Sequence, residues 1–324
     1  GLVKVISPIA DTPAAKAGIK PGDYIAAINS TPVQGLTLND ATDRMRGTPG
    51  SKVKLTVLRK GEKKPFDVSL TRAVVHVETV KFHREGDIGY IRLTSFNQDA
   101  APGIERAVKS LQKQLGPNLK GYILDLRNNP GGLLDEAVDI SDDFLQSGEI
   151  VSTRGRHSQD NAKYNAHAGD ITGGKPVIVL INAGTASASE IVAGALQDDK
   201  RAKILGMTSF GKGSVQTIIP LSQGGGALRL TTARYFTPSG HSIQALGITP
   251  DIAVAQGDES AVKIAAQSEA NLPGHLPGEA PAKKAMQVIK PAPGKKYDDF
   301  QLSYALDVMR GKNTVAFVKS AAAD

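Results

Sequence analysis

One serine of this sequence stands in surroundings that suit a nucleophile. Ser187 follows the apolar run Val177 to Ile181, which predicts a buried strand, and it precedes apolar residues at helical spacing. With Glu190 it forms the Ser-x-x-Glu pattern of a capping box, which predicts that Ser187 lies at the N-terminus of that helix. Unpaired backbone N–H groups at a helix start stabilise developing negative charge, as acyl transfer to a serine requires. Taken alone, the pattern also fits a serine that only caps a helix.

Two glycine-containing segments have the composition to complete such a site. A predicted strand, Gly121 to Leu126, runs into residues 127–132 (RNNPGG), where paired glycines let backbone N–H groups approach a ligand. This segment is either an ordinary strand-to-helix turn or the source of a second N–H donor for an oxyanion. The other segment places Lys212 between two glycines at the start of a predicted strand, with Gln216 four residues further on to orient its amine.

The lysine segment also spells most of a phosphate-binding motif. Gly206 to Lys212 reads G-x-x-x-x-G-K, as in a P-loop. That motif needs Ser or Thr next, to hold magnesium, followed directly by a helix. Here Gly213 comes next, and a β-branched run that ends at Pro220 favours a strand. We therefore interpret Lys212 as a partner of the serine.

No histidine suits the role of general base. The sequence contains neither H-E-x-x-H nor G-x-S-x-G. Its histidines lie mostly in polar, turn-like sequence: His76, His83, His157, His167, His241 and His275. Serine–lysine pairs are an established variant of serine catalysis. A lysine accepts a proton only when neutral, so its surroundings must disfavour the charged amine.

The composition excludes several functional classes. The 324 residues include no Cys, which rules out a disulfide framework, a thiolate metal site and a cysteine nucleophile, and which fits an oxidising compartment. The net charge of +7 comes from scattered Lys and Arg, with no Trp and 5% aromatic residues, so a solvated basic surface is expected rather than a nucleic-acid interface. No apolar run approaches the roughly 18 residues of a membrane span, and the sequence from Gly1 contains no export signal, so any such signal is expected to have been removed or to lie outside it.

The first 73 residues resemble a PDZ domain of the bacterial type. The resemblance rests on Ser7-Pro8-Ile9, Pro13-Ala14, Ala17-Gly18-Ile19, Pro21-Gly22-Asp23 and Ile28-Asn29. In proteins with this pattern the peptide-binding strand and its carboxylate loop lie just upstream, in a segment that is absent here. A helix is predicted over Leu36 to Arg46, in which Leu38, Ala41 and Met45 recur at helical spacing. These three residues either line the peptide groove or pack in the domain core.

The sequence after residue 73 alternates longer strands and helices. Strands are predicted at Ile88 to Leu93 and 176–181, and helices near Ala100 to Leu115 and 133–145, which indicates an α/β core over residues 74–255. Residues 256–324 are rich in Pro, Ala, Gly and Lys and predict a linker and C-terminal tail. One amphipathic helix is expected within that tail, from Asp299 to Met309, with Leu302, Ala305, Leu306 and Met309 on one face.

Taken in order, the motifs of this core resemble those of the carboxyl-terminal processing peptidases, also called tail-specific proteases. They are LDLRNNPGG at 124–132, GTASASEI at 184–191, FGKGSVQ at 210–216, RYFTPSGHSIQ at 234–244 and GITPD at 247–251. The resemblance covers about residues 1–252. It implies a PDZ-like domain followed by an α/β protease core of the crotonase and Clp protease type, which acts without metal, nucleotide or other cofactor.

Carried over by position, the resemblance implies a role for each motif residue. Ser187 would be the nucleophile, Lys212 its general base and Gln216 the residue that holds the lysine. The backbone of Gly131 or Gly132, with that of Ala188, would form the oxyanion hole, and Asp198 would support the site. His241 departs from the Arg or Lys expected at its position.

The resemblance also implies partners and a location. Substrates would be proteins with flexible C-terminal tails, and the location would be the periplasm, while an adaptor or a homo-oligomer stays open. Two other functions compete with this one. An inactive PDZ scaffold would not react with a probe for active-site serines, whereas an acyl-CoA enzyme of the crotonase type would share the core fold and turn over CoA thioesters.

Overall fold

The computed structural model describes residues 2–5, 8, 12–75, 78–221, 226–257, 268–279, 287–292 and 296–312. Ser7, Ile9 and His76, together with parts of the predicted tail, lie outside these residues. The chain divides into two compact units, Gly1–Val77 and Glu78–Asp324. The division falls four residues beyond the boundary expected at residue 73, and residues 256–324 belong to the second unit.

The first unit is a small antiparallel sheet with two helices. Its elements are β1 (Val3–Lys4), α1 (Pro13–Lys16), β2 (Tyr24–Ile28), β3 (Thr31–Pro32), α2 (Leu38–Met45), β4 (Lys52–Leu58) and β5 (Phe66–Thr71). The strand order is β1-β2-β4-β5, and β3 pairs with β2. Asp23 of the Pro-Gly-Asp motif is buried and binds the Arg59 guanidinium through both carboxylate oxygens, at 2.7 and 2.8 Å. This bidentate pair fixes the turn before β2 against the end of β4.

A six-stranded, mostly parallel sheet forms the centre of the second unit. Its strands are β6 (Val80–Glu85), β7 (Ile88–Leu93), β8 (Gly121–Asp125), β11 (Val177–Ile181), β12 (Lys203–Gly206) and β15 (Ile252–Ala253). The order is β15-β12-β11-β8-β7-β6, with only β6 antiparallel. Every residue of β8 and β11 is buried, as expected for parallel strands covered on both faces.

Helices cover both faces of this sheet. On one face lie α3 (Ala100–Leu115), α4 (Leu134–Asp142) and α5 (Ala188–Asp198), which share an apolar core with Tyr122 and Val179. The other face holds the alternate strand residues, among them Ile123 and Ile178, and is covered by α6 (Phe300–Met309). The helix expected in the tail is therefore a layer of the core.

The second unit also contains a four-stranded antiparallel sheet, whose residues Ile150, Val151 and Tyr235 belong to the main apolar core. This sheet contains β9 (Glu149–Gly155), β10 (Ala162–Asn165), β13 (Ser214–Pro220) and β14 (Ala227–Phe236), in the order β10-β9-β14-β13. The strand β13 is an edge, and its residues from Gln216 to Pro220 are exposed. Short 3-10 turns occur at Gly116–Asn118, Ser158–Asp160 and Glu269–Asn271. Among the described residues no helix has the length and apolarity to span a bilayer.

Candidate active site

Three loops meet at the carboxyl edge of the parallel sheet. They follow the neighbouring strands β8, β11 and β12, and we call them the glycine loop (residues 128–132), the serine turn (182–187) and the lysine turn (207–213). Because parallel strands end on the same side, side chains distant in sequence converge there. Ser187, Lys212 and the glycine pair Gly131 and Gly132 lie on these loops, whereas Gln216 lies on β13.

Ser187 occupies a strained turn between β11 and α5. It is the N-cap residue of α5, with φ 56° and ψ −116°, a backbone conformation that non-glycine residues rarely adopt. A sharp strand-to-helix turn of this kind presents a nucleophilic serine at the top of other α/β sheets. The Ser187 N–H donates to Glu190 Oε2 at 2.8 Å, so the glutamate reaches back to the cap as the Ser-x-x-Glu pattern predicted.

Glu190 joins the serine turn to the lysine turn. Its fully buried carboxylate accepts four hydrogen bonds: from the backbone N–H of Ser187 and of Lys212 on Oε2, and from Ser209 Oγ and the Gly211 N–H on Oε1. These distances lie between 2.5 and 2.9 Å. Burial raises the pKa of Glu190 to about 7, although the four donors act in the opposite direction. One side chain therefore sets the spacing between the backbones of Ser187 and Lys212.

The glycines on either side of Lys212 press against the segment 243–247. A Cβ on Gly211, which has φ +94°, would lie 3.1 Å from the Ala245 carbonyl carbon, and one on Gly213 would lie 2.2 Å from the Gln244 nitrogen. The Gly213 N–H donates to Oε1 of the fully buried Gln244 at 3.2 Å. Neither residue can be larger than glycine, and the lysine backbone is held from both sides.

The side chains of Lys212 and Gln216 are not joined. Lys212 is half-buried, whereas Gln216 is exposed on β13, directly after a β-bulge between Val215 and Gln216. Within the part of the chain that the structure describes, neither side chain makes a hydrogen bond or an ion pair. The role of Gln216 in holding the lysine therefore stays a prediction.

The glycine loop contacts the serine turn directly. Gly131 has φ +97°, and a Cβ there would lie 2.8 Å from the Ala188 nitrogen and 2.9 Å from Ser187 Cβ. Its own N–H donates to Asn129 Oδ1 at 2.9 Å. Among the described residues, the N–H groups of Gly132 and Ala188 have no acceptor. Of the two predicted glycine donors, Gly132 is thus the one whose N–H is available to an oxyanion.

Sequence reasoning missed the buried polar residues that shape these loops. Asn129 is fully buried, donates to the Leu93 carbonyl at 2.9 Å, and its carbonyl accepts from the Ala186 N–H and from Ser189 Oγ. Asn182 binds both the backbone N–H and the side chain of Asn128. Each of these amides follows a buried strand, which is the signal that could have identified them.

Asp198 lies at the far end of α5 from Ser187. Asp198 is eleven positions after Ser187 along the helix, which corresponds to about 16.5 Å at 1.5 Å per residue. Its carboxylate accepts from Ser239 N–H at 3.0 Å and from Ser239 Oγ at 2.6 Å, and Ser239 Oγ also contacts His241 Nδ1 at 2.7 Å. Asp198 thus anchors the 237–241 turn, and no ion pair joins it to Lys212 in the described residues.

In the first unit, the three predicted groove residues, Leu38, Ala41 and Met45, lie in different surroundings. Met45 lines a cavity of about 600 Å³ between α2 and the sheet, with apolar walls that include Ile25, Val53 and Leu70. Ala41 is fully buried in the domain core, and Leu38 is 66% exposed and does not line the cavity. Only Met45 is placed to contact a ligand there.

Two family models match this chain. The family model for peptidase family S41 matches residues 87–254, and the model for a PDZ domain matches residues 1–70. The chain belongs to peptidase family S41. The S41 match contains all three loops of the site, and the recognition made from the motifs is confirmed.

Several relatives of this chain are named for carboxyl-terminal processing. A carboxy-terminal-processing protease of Bartonella bacilliformis is 51% identical over 318 residues, which are 97% of this chain and 73% of that protein. A carboxyl-terminal-processing protease of Synechocystis is 42% identical and the CtpA protease of Bacillus subtilis 39% identical, each over 78% of this chain. The chain spans only 59% and 53% of those two proteins. By its sequence, this S41 chain is a serine peptidase of the carboxyl-terminal-processing class.

Solved structures include S41 peptidases. An S41 protease from Bacteroides fragilis has a TM-score of 0.52 at 17% identity, covering 97% of this chain and 82% of that one, and shows the same fold. The photosystem II D1 C-terminal processing protease is 36% identical, with a TM-score of 0.49, over 77% of this chain and 67% of that one. The predicted fold class, an α/β peptidase core with a small PDZ domain, is confirmed.

Replacing Glu190 by Gln should reduce activity by about 10²-fold, because an amide offers one acceptor oxygen where four donors converge and the two turns would move apart. We expect a loss of stability as well, from buried donors without partners. The measurements are kcat/KM on an unstructured protein and thermal unfolding. The matched control is Glu105→Gln, which removes an exposed carboxylate paired with Lys109.

A pH profile tests the same residue. Only the carboxylate form of Glu190 can accept from all four donors, so wild-type activity should fall as the pH falls through about 7. The raised pKa has the opposite effect on folding: its stabilising contribution is present at low pH and is lost as the pH rises through about 7. If Glu190→Gln kept both the rate and the pH profile of the wild type, the carboxylate would not organise the site.

Proposed function

We propose that this chain is a serine endopeptidase in which Ser187 attacks the peptide carbonyl and Lys212 is the general base. The observation that carries the proposal is the Glu190 carboxylate, which binds the backbones of both residues at 2.8 and 2.9 Å. In the first step the lysine takes the serine proton as Oγ bonds to the carbonyl carbon. The same lysine then protonates the leaving amine as the C–N bond breaks, and water releases the acyl group by the reverse route.

The N–H groups of Gly132 and Ala188 serve as the oxyanion hole in this mechanism. Ala188 is the first residue of α5, where N–H groups lack helical acceptors and the helix dipole favours negative charge. Gly131 brings the glycine loop against this N–H because it has no Cβ. Removing one such donor from other serine enzymes lowers the rate by about 10² to 10³.

Extended polypeptide fits the surroundings of Lys212. The edge strand β13 begins two residues after the lysine, and its outer side has no partner strand in the described sheet. An exposed edge can pair with an extended peptide through main-chain hydrogen bonds. We infer that the segment of substrate next to the cleaved bond pairs with β13, and that Ile218, which is 67% exposed, contacts it.

The PDZ unit is proposed to bind the flexible C-terminal tail of the substrate. The residues that line its cavity are mostly apolar but include the exposed Arg46, a combination that suits an apolar side chain next to a carboxylate. The family resemblance and the absence of Cys from the sequence support a periplasmic location. An adaptor or a homo-oligomer is compatible with this proposal and forms no part of it.

Met45→Gln should weaken tail binding. Gln has nearly the same size but introduces a polar amide into the apolar cavity, which costs about 1 kcal/mol or more and corresponds to a rise in KM of roughly fivefold. The rise should occur with peptides that have a free carboxyl terminus and not with amidated ones, at unchanged kcat. Leu38→Gln on the same helix, outside the cavity, is the control. Equal KM values for the two variants would show that the cavity does not select tails.

A further inference from the structure

A buried ion cluster lies at the end of β8, directly before the glycine loop. The Arg127 guanidinium donates to both oxygens of Asp125, at 3.0 and 2.7 Å, and to both oxygens of Asp299, at 2.9 and 2.7 Å. Asp125 also accepts from the Tyr90 hydroxyl at 2.7 Å. The side chains of Asp125 and Arg127 are almost completely buried, and that of Asp299 is 30% exposed. Two bidentate pairs on one guanidinium fix its position and orientation.

Asp299 belongs to a distant part of the chain. It lies 172 residues after Arg127, where it is the N-cap of α6 and accepts from the Leu302 N–H at 2.9 Å. Its neighbour Gln301 accepts from Arg127 at 3.1 Å and donates to the Val254 carbonyl at 2.7 Å. The start of α6 is therefore tied to the end of β8 by ionic and neutral hydrogen bonds.

The backbone of Arg127 leads directly into the glycine loop. Its N–H donates to Asp125 Oδ1 at 2.9 Å, so the same carboxylate shapes the turn and binds the side chain. The next residue, Asn128, has φ 57°, and Asn129 then holds the Gly131 N–H. A shift of Arg127 would displace the loop that carries the Gly132 N–H.

Arg127, Asp125 and Asp299 stabilise one another's charged forms in their buried surroundings. Burial by itself lowers the pKa of Arg127, but the hydrogen bonds and charges of Asp299 and Asp125 outweigh it, and the pKa is raised. Arg127 in turn holds the pKa of Asp299 below its usual value against the effect of burial. Removing one partner of a buried, hydrogen-bonded charge cluster leaves the other incompletely compensated, so the remaining groups must rearrange.

We propose that Asp299 is a positioning residue for catalysis, which acts through Arg127 to hold the glycine loop against Ser187. The segment that the sequence indicated as a tail thus forms part of the catalytic apparatus. This inference rests on the proposed peptidase function, because the loop matters only if it binds an oxyanion. The structural part of the inference is that Asp299 restrains the glycine loop through Arg127. This restraint can be measured independently of activity.

The test compares Asp299→Asn with Asp307→Asn in the full chain. Each substitution removes one negative charge, at the N-cap of α6 or within it, but among the described residues the Asp307 side chain pairs with Lys312 alone. For Asp299→Asn we expect kcat to fall at least tenfold with KM within twofold, and labelling of Ser187 by a fluorophosphonate probe to slow in parallel. Asp307→Asn should match the wild type. A merely structural role would lower thermal stability without this separation of kcat from KM.

Amide hydrogen exchange separates failure of the inference from failure of the proposed function. In Asp299→Asn, exchange at the hydrogen-bonded N–H groups of Asn128, Asn129 and Gly131 should be about tenfold faster than in the wild type, with no change in β4 of the first unit. Faster exchange in Asp299→Asn can be observed even if the wild-type protein is inactive. An inactive wild type would overturn the proposed function and leave the link between Asp299 and the loop intact. Unchanged exchange in the glycine loop, or kcat within twofold of wild type, would overturn the role of Asp299. Asp299→Glu, which restores the charge, should recover part of both measurements.

Discussion

Ser187→Ala should abolish cleavage of an unstructured protein substrate while leaving the fold intact. The substitution removes the only atom of Ser187 that can form the acyl intermediate, and loss of the nucleophile in other serine peptidases lowers kcat by about 10⁶-fold. The hydrogen bond from residue 187 to Glu190 involves the backbone N–H and is kept. Loss of the hydroxyl at a helix start costs at most about 2 kcal/mol.

The measurement is mass spectrometry of the products, together with labelling by a fluorophosphonate probe and thermal unfolding. Ser110→Ala, on the distant helix α3, is the control and should behave like the wild type. Near-normal cleavage by Ser187→Ala would refute the nucleophile. Absence of labelling in the wild type would favour the inactive scaffold, and turnover of CoA thioesters would favour the acyl-CoA enzyme.

Lys212→Arg should be almost inactive although it keeps a positive charge at the same place. A guanidinium stays protonated at every accessible pH and cannot take the serine proton, so the general-base contribution of about 10² to 10⁴ is lost. The contacts that hold residue 212 come from backbone N–H groups and survive the substitution. We therefore expect a folded protein with a defect in kcat.

Comparison with two further variants makes this result specific. Lys109→Arg, at an exposed ion pair on α3, should leave the rate unchanged. Gln216→Ala should be impaired less than Lys212→Arg, because it removes an orienting group rather than the base. An active Lys212→Arg enzyme would exclude the lysine as base, and the hydroxyl of Ser187 would then need a different proton acceptor.

The sequence predicted the loops of the site better than their internal contacts. Ser187, Lys212 and Gly131 follow strong strand patterns, and the parallel order of β8, β11 and β12 makes their loops converge. The convergence of four donors on Glu190 could not be predicted, because two of them come from backbone N–H groups in a loop about twenty residues away. Nor does the pattern of two glycines tell which N–H is free, since this depends on the Asn129 side chain.

For residues 256–324, the sequence predicted a helix but not its packing against the central sheet. Helical spacing correctly predicted a helix near Asp299 to Met309, and its bounds in the structure are Phe300–Met309. Composition described the residues around it as a linker, and nothing in the local pattern shows that Phe300 and Val308 cover the central sheet. The ion cluster of Arg127 with Asp299 joins segments 172 residues apart, a distance over which no periodicity carries information.

The bridging position of Glu190 has a consequence for how the molecule is made. Ser187 and Glu190 share one helix, but the two backbone donors of the lysine turn reach the carboxylate only after β12 has joined the sheet beside β11. The ion pair of Arg127 with Asp299, directly before the glycine loop, also forms only when α6 has packed on the sheet. In a nascent or partly unfolded chain, Ser187 and Lys212, the proposed nucleophile and base, are therefore not yet held together. Under the proposed mechanism, peptidase activity would therefore arise only once these last long-range contacts have closed.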